Sequence, residues 1–504
     1  MKKLKSTLRF FTITSVLLIA LFPAQAMAQE KEIDDQKIRA SVETELMLHE
    51  DVQSNNIDVS SNDGIVMLRG TSPNILAKDR AEKITSAVKG VKGVINEIIV
   101  LTPERPDKAL KQDIESELFI NPVTESYQID VQVNEGKVKL GGEVESYQER
   151  KLAEHVVKGV KGVKKVENNI GFKVDENRPD YEIQNDIVYA LENDVRVDDA
   201  LIDVEVNDGR VQLSGTVGSL AEKSQAIVLS WTSGVRSVNS DNLNVQAWAR
   251  DELIRKEKYL DKADEKIIEA IQSAFDLNPR VNEVEIEVES TDGMVTLQGI
   301  VDNLSAKNSA ERTAKNIVGV HTVNNLIKVR PEIPDDITLE KEVTESLLRN
   351  PYLENFEFTV DVNNGIVYLS GMVNGYFEKF EAEEIAGSVY GVVDVANNIE
   401  VRDYNLVQTR KYEYDFHDWD HLFPAEYTKS VYRAGITDED LEAAVESQIW
   451  WSPFVDLDDL NIQVDQGVVS LSGTVDTRVE REAAVKNAYE AGANMVVNEM
   501  EVVY

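Results

Sequence analysis

No cysteine occurs in this chain of 504 residues. That absence excludes disulfides, thiolate chemistry, cysteine-based zinc sites and a lipidated cysteine at a mature N-terminus. Histidine is scarce as well, with five in all, and only His417 and His421 stand close together. There is no glycine-rich loop ending in Lys-Ser/Thr and no Gly-x-Ser-x-Gly elbow, the signatures of phosphate cradling and of a serine nucleophile. No cofactor is therefore expected. Positive charge is in short supply: 53 Lys and Arg face 91 Asp and Glu, a formal charge of −38. Phosphate backbones need a basic surface, so nucleic acid is not an expected partner.

Long apolar runs are missing everywhere except at the N-terminus. There Lys2, Lys3, Lys5 and Arg9 precede an apolar stretch from Phe10 to Phe22. Ala24-Gln25-Ala26 and Ala26-Met27-Ala28 both suit signal peptidase. Residues 1–28 read as a signal peptide, which predicts export to the periplasm or beyond and no transmembrane span in the mature protein. A membrane anchor is the competing reading, but the run is short for a span of about 20 residues.

What the chain has instead is repetition. Asn207-Asp-Gly-Arg-Val-Gln-Leu-Ser-Gly215 recurs at Asn62–Gly70, Asn134–Gly142, Thr291–Gly299, Asn363–Gly371 and Asp465–Gly473. A turn tripeptide ending in Gly permits the positive φ angles of a tight hairpin, and the alternation that follows is a half-buried strand. Val211, Leu213 and Gly215 share one face; the other varies freely, from Lys137 and Lys139 to Ile366 and Tyr368. One face packs and the other meets water or a partner. The turn glycines are spaced by 72, 73, 84, 72 and 102 residues. A period near seventy is a small domain rather than a solenoid repeat.

Upstream of each strand lies an amphipathic helix with apolar residues at i, i+4 and i+8, such as Ile38/Val42/Leu46 and Leu441/Val445/Ile449. Asp34, Asp264 and Asp438 suit the positive end of its dipole. A second helix follows the hairpin, opened by Ser146, Ser219, Asn303 or Thr477 as caps. Eleven residues past each strand's final Gly stands an alanine: Ala81, Ala153, Ala226, Ala310, Ala382 and Ala484. A small residue at one fixed helical position predicts close approach of helix to sheet. Gly90, Gly162, Gly234, Gly319, Gly391 and Gly492 are expected to end these helices as left-handed caps.

The expected fold is α+β: six tandem α-β-β-α-β domains, each a three-stranded mixed sheet with two helices on one face. Their spans are 33–101, 105–174, 178–246, 263–329, 335–402 and 436–504. A linker or helix occupies 247–262, and an aromatic, acidic insertion 403–435. So small a globule buries only about 60% of its unfolded surface, so contact between neighbours should help it.

The α-β-β-α-β order, the x-Val-x-Leu-x-Gly strand and the closing Gly-Val-x-x-Val resemble the BON domain of bacterial envelope proteins. All six units carry the resemblance. The sixth departs at its close, with Gly492-Ala-Asn-Met-Val496, and the third departs after its closing Val238. The resemblance implies an exported protein that binds phospholipid or protein surfaces in the envelope and protects against osmotic stress.

None of the positions that recur in all six units is a catalytic type, so an enzyme is not expected. His417 and His421 lie among aspartates but also among aromatics, and the stretch reads as an insertion that packs its rings on adjacent domains; no metal site is expected. The candidate surface residues are two sets. Lys158, Lys161, Lys164 and Lys165 form a basic run in a domain of zero net charge, a possible contact for anionic headgroups. Trp450 and Trp451 offer an aromatic anchor for a membrane interface or a protein; the competing reading, favoured for at least one of them, puts one ring in the domain core and the other over the 403–435 insertion. Residues 436–504, with 3 basic and 15 acidic side chains, would be repelled by an anionic leaflet. The function expected is non-enzymatic binding of an envelope surface; the alternative is a soluble chaperone or scaffold engaging clients through tandem weak sites.

Overall fold

The computed structural model describes residues 33–49, 51–124, 128–175, 177–250, 262–281, 285–331, 334–402, 437–452, 455, 457, 459–493 and 495–502. Six copies of one unit account for them. The first helices are Asp35–Leu48, Asp107–Ile120, Asp180–Asn193, Asp264–Leu277, Asp336–Arg349 and Asp438–Trp451. Their i, i+4, i+8 residues are buried in every copy, which is why these stretches are helical: the apolar stripe has a core to face.

Each hairpin pairs its strands antiparallel, as Ile57–Asn62 does with Ile65–Ser72. The second strand sits in the centre and pairs in parallel with the closing strand, as Val468–Val475 does with Met495–Val502. Both hairpin turn residues take positive φ, for instance Asp63 at 52° and Gly64 at 78°. The strand's final glycine is required as well. At Gly215, with φ 109°, a Cβ would stand 2.0 Å from the Leu201 carbonyl oxygen across the hairpin.

The second helices are Ile75–Ser86, Tyr147–Lys158, Leu220–Leu229, Leu304–Lys315, Tyr376–Gly387 and Arg478–Ala491. Ser146, Ser219, Asn303 and Thr477 cap them, each accepting a hydrogen bond from a backbone N–H three residues on. The six alanines are fully buried. The glycine caps are a correction. Only Gly492 caps its helix in the left-handed conformation; the other five helices stop four or five residues earlier. Those five glycines do take positive φ, because the chain leading into the first helix passes over them. A Cβ on Gly90 would meet Ile33 Cγ2 at 2.6 Å, and one on Gly391 would meet Pro334 Cδ at 2.5 Å.

Two polar devices recur that sequence reading did not find. The aspartate opening the first helix reaches the hairpin turn 28 and 29 residues later: Asp180 accepts from the Asp208 and Gly209 amides at 2.8 and 2.9 Å. Asp35, Asp264, Asp336 and Asp438 do the same, and Asp107 accepts from Gly136. In four units an asparagine also ties the closing strand to the second helix. Asn96 donates to the Lys78 carbonyl and to Glu82, both at 3.0 Å, while its own oxygen accepts from the Ile98 amide. The closing strand is broken at that point, Gly93–Asn96 then Ile99–Val100. The third unit has Ser240 there, and its strand runs unbroken from Ser237 to Val245.

The units also dock on one another, and they do so in nested pairs. Unit 1 meets unit 6 where the Lys89 amide donates to the Trp451 carbonyl at 3.2 Å. Unit 2 meets unit 5 reciprocally, Lys161 N–H to Arg349 O at 2.7 Å and Tyr390 N–H to Ile120 O at 2.9 Å. Unit 3 meets unit 4 through Val195 N–H to Asn316 O and Val318 N–H to Asn193 O, at 3.0 and 2.9 Å. The chain thus folds back on itself between units 3 and 4, where the repeat spacing lengthens. Units 1, 2 and 3 further touch in a ring. Lys158 of unit 2 pairs with Asp79 of unit 1 at 2.7 Å, Gln148 of unit 2 donates to Trp231 O of unit 3 at 2.6 Å, and Leu220 of unit 3 packs on the cores of units 1 and 3.

Candidate functional site

The four lysines are not presented together. Lys158 is mostly buried between Asp79 and Glu154, at 2.7 and 2.9 Å. Lys161 lies in the contact with unit 5, its ammonium 3.7 Å from Glu354. The stem of Lys164 lies along the hairpin turn at Gly136. Lys165 is exposed and pairs with Glu167 at 3.3 Å. Two of the four therefore spend their charge inside the molecule.

The two tryptophans are likewise engaged within the chain. Their rings meet edge to face at 4.8 Å. Trp451 packs against the core of unit 1, and the Lys89 ammonium sits 4.6 Å from the centre of the Trp450 ring. The first and last units are joined through the residues singled out as an anchor. His417, His421 and the 403–435 insertion lie outside the described residues.

The free face of each sheet follows from the strand alternation. In the second strand of unit 1, Val66 and Leu68 point to the core, so Ile65, Met67 and Arg69 point away. Ile95 stands opposite Met67 on the closing strand, and Ile99 opposite Thr71. Ile65, Ile95 and Ile99 are 46, 43 and 62% exposed, an apolar stripe on the side away from the helices. Unit 4 places Met294 and Ile300 outward, and unit 5 Tyr368 and Met372; all four are exposed. Unit 2 instead turns out Lys137, Lys139, Lys165 and Glu167, and unit 3 Arg210, Ser237 and Asn239. Unit 1 thus carries the apolar outer face; in unit 4 Met294 and Ile300 stand opposite Thr322 and Lys328, in unit 5 Met372 stands opposite Glu400, and units 2 and 3 are polar.

Ionisable groups are concentrated inside the junctions. Arg80 pairs with Asp51 at 3.0 Å, and His49 Nδ1 lies 3.9 Å from Asp51. Burial holds the His49 imidazole well below its ordinary pKa, helped by the Arg80 and Lys486 charges. Burial also pushes Glu381 of unit 5 up to about 7, against the opposing bond it accepts from Asn350 at 2.7 Å. His155 is pushed down to about 3, first by burial and then by the Lys83 charge. Glu45, His49 and Glu490 bring one ligand-type atom each within 4.8 Å of one another. Burial, then the neighbouring Glu490 charge, raises Glu45 to about 7. No nucleophile, base and orienting group stand in line at any of these places among the described residues. None of the described helices is long and apolar enough to cross a membrane.

Comparison with known proteins accounts for the repeat. The family model described as "BON domain" matches residues 34–102, 106–173, 179–247, 263–331, 335–403 and 437–504. The chain is similar to "Osmotically-inducible protein Y" of Escherichia coli (strain K12), 28% identical over 148 residues, which are 28% of this chain and 74% of that protein. It is also similar to "Uncharacterized protein in gshII 5'region" of Anaplasma centrale, 29% identical over 129 residues, 26% of this chain and 82% of that one. A solved structure of the C-terminal domain of CdsD, a structural protein of the type III secretion system of Chlamydia trachomatis, aligns with 42% of this chain and 100% of its own, at 17% identity and a TM-score of 0.12. With six matches spread along most of its length, the chain belongs to the BON domain family.

Proposed function

We propose that this chain is an exported, non-enzymatic binding protein of the cell envelope, engaging phospholipid or protein surfaces through the outward sheet faces of its units. The observation that carries the reading is the apolar stripe Ile65, Ile95 and Ile99 on the solvent side of unit 1. Besides the packing residues, the helix-opening aspartate recurs in every copy, and its carboxylate is taken up by the amides of the hairpin turn, which supports binding over catalysis. The likeness to a protein named for osmotic induction supports a role under envelope stress, and the N-terminal segment supports export.

The contact is apolar rather than electrostatic. Lys158 and Lys161 are already paired with acids of this chain, and the whole carries −38. Covering three half-exposed isoleucines stabilises by about 3 kcal/mol in all, so one unit alone binds no better than roughly 6 mM. The exposed apolar side chains of units 4 and 5, Met294, Ile300, Tyr368 and Met372, add further weak contacts that multiply into useful avidity. The same arrangement suits a chaperone or scaffold that holds exposed apolar segments of client proteins.

The test is flotation of the mature chain with phospholipid vesicles, run beside suppression of client aggregation. Ile95→Asp combined with Ile99→Asp should weaken whichever activity is present. Unchanged flotation and unchanged suppression by that variant would refute the outward-face reading. Mature protein still beginning at Met1 would refute export.

A further inference from the structure

We propose that Glu45, His49 and Glu490 form a binding site for a divalent transition-metal ion, built across the junction of the first and last units. Glu45 and His49 lie one turn apart at the end of the first helix of unit 1. Glu490 comes from the second helix of unit 6. Neither unit holds the set alone. Their ligand-type atoms lie within 4.8 Å of one another. The edge of a tetrahedral zinc site is about 3.3 Å, which small rotations of two long glutamate chains can reach.

The donor chemistry is coherent. One imidazole and two carboxylates suit zinc or manganese, and three protein ligands leave a fourth position for water. His49 and Glu490 are at least nine-tenths buried, so an ion here would exchange much of its water for fixed ligands. Both glutamates also have an outer hydrogen-bond partner of the kind that orients metal ligands, and a carboxylate stands near His49. Gln448 Nε2 donates to Glu45 Oε1 at 2.9 Å, Asn487 Nδ2 donates to Glu490 Oε2 at 3.1 Å, and Asp51 lies 3.9 Å from His49 Nδ1.

Two internal cations bear on the site: Arg80, held by Asp51 at 3.0 Å, and Lys486. The Lys486 ammonium is 3.2 Å from Glu490 Oε1, where it balances part of the carboxylate charge. It stands at the end of a flexible stem and is 14% exposed, so it can swing outward when a dication arrives. Lys486 is thus a built-in competitor, and its removal should tighten metal binding.

The test is calorimetric titration of the full mature chain with zinc chloride after treatment with a chelator. A His417→Ala, His421→Ala background removes the other histidine pair from the count. Binding of one zinc per chain is expected, with affinity lowered at least tenfold by His49→Gln or Glu490→Gln and raised by Lys486→Gln. X-ray absorption at the zinc edge should show one imidazole among oxygen ligands. Circular dichroism and a melt in chelator establish that each variant folds, and Glu490→Gln serves if His49→Gln does not. The proposal is overturned if the background protein binds no zinc, or if both ligand variants bind it as before.

Discussion

Glu381→Gln tests the account of the buried junctions in one residue. Glu381 lies on the second helix of unit 5, and its carboxylate accepts a hydrogen bond from Asn350 at 2.7 Å. Burial raises its pKa from 4.5 to about 7, and the Glu384 and Asp51 charges add to the rise. The folded state then keeps a proton that the unfolded chain releases near pH 4.5. Stability falls as pH rises from about 4.5 towards 7 and levels off above that. A shift of that size is worth about 3 kcal/mol at the limit, and nearer 1–2 kcal/mol because the side chain is only partly buried. Glutamine keeps an oxygen for Asn350 and carries no charge. Urea melts of both proteins from about pH 3.5 to pH 8 should come together at the acid end, below the unfolded pKa of 4.5. They should then separate, with the variant more stable by about 1–2 kcal/mol at pH 8. A difference that does not change with pH, or a less stable variant at pH 8, would refute the burial of this carboxyl.

Other consequences follow from the packing. Trp451→Ala should weaken docking of unit 6 on unit 1 by about 2 kcal/mol, seen as faster hydrogen exchange at the Lys89 amide while that of Lys161, in the unit 2:5 contact, is unchanged. Gly215→Ala should destabilise unit 3 by about 2–4 kcal/mol in a melt, since its Cβ has no room beside Leu201 O and φ is positive. Asp180→Ala should speed exchange of the Asp208 and Gly209 amides. The Gly209 amide, then that of Asp208, holds the Asp180 carboxyl below its ordinary pKa of 3.8. The effect is therefore complete above that pKa and lost as pH falls through the lowered value.

The parts of this fold that could be read in the sequence are those written within one unit by periodicity. Ile38, Val42 and Leu46 declare a helix face, Val211 and Leu213 a strand face, and Ala310 a close contact, because each depends on spacings of a few residues. The clamp from Asp180 to Gly209 was hidden because it joins positions 29 apart, and an aspartate at a helix start has a sufficient local explanation in the dipole. Pairing of units was hidden for a different reason. Six copies of one motif say nothing about which copy meets which, and the partners of Lys158 and Lys161, Asp79 and Glu354, lie in other units. The lysine run looked like a free basic surface for that reason. A packed tryptophan is expected to fill the core of its own unit, and nothing near Trp451 in sequence reveals that it packs against the core of unit 1 instead.

The central claim is that binding occurs on the apolar outer faces of the sheets, and the lack of native cysteine makes it directly measurable. An environment-sensitive fluorophore is attached to the mature chain through Ile99→Cys on the outer face of unit 1. A second protein carries it through Lys139→Cys on the polar outer face of unit 2. Both are mixed with vesicles of phosphatidylethanolamine and phosphatidylglycerol. A blue shift at position 99 that survives physiological salt, with none at position 139, is the predicted result. A shift confined to position 139, or one at position 99 that salt abolishes, would contradict it.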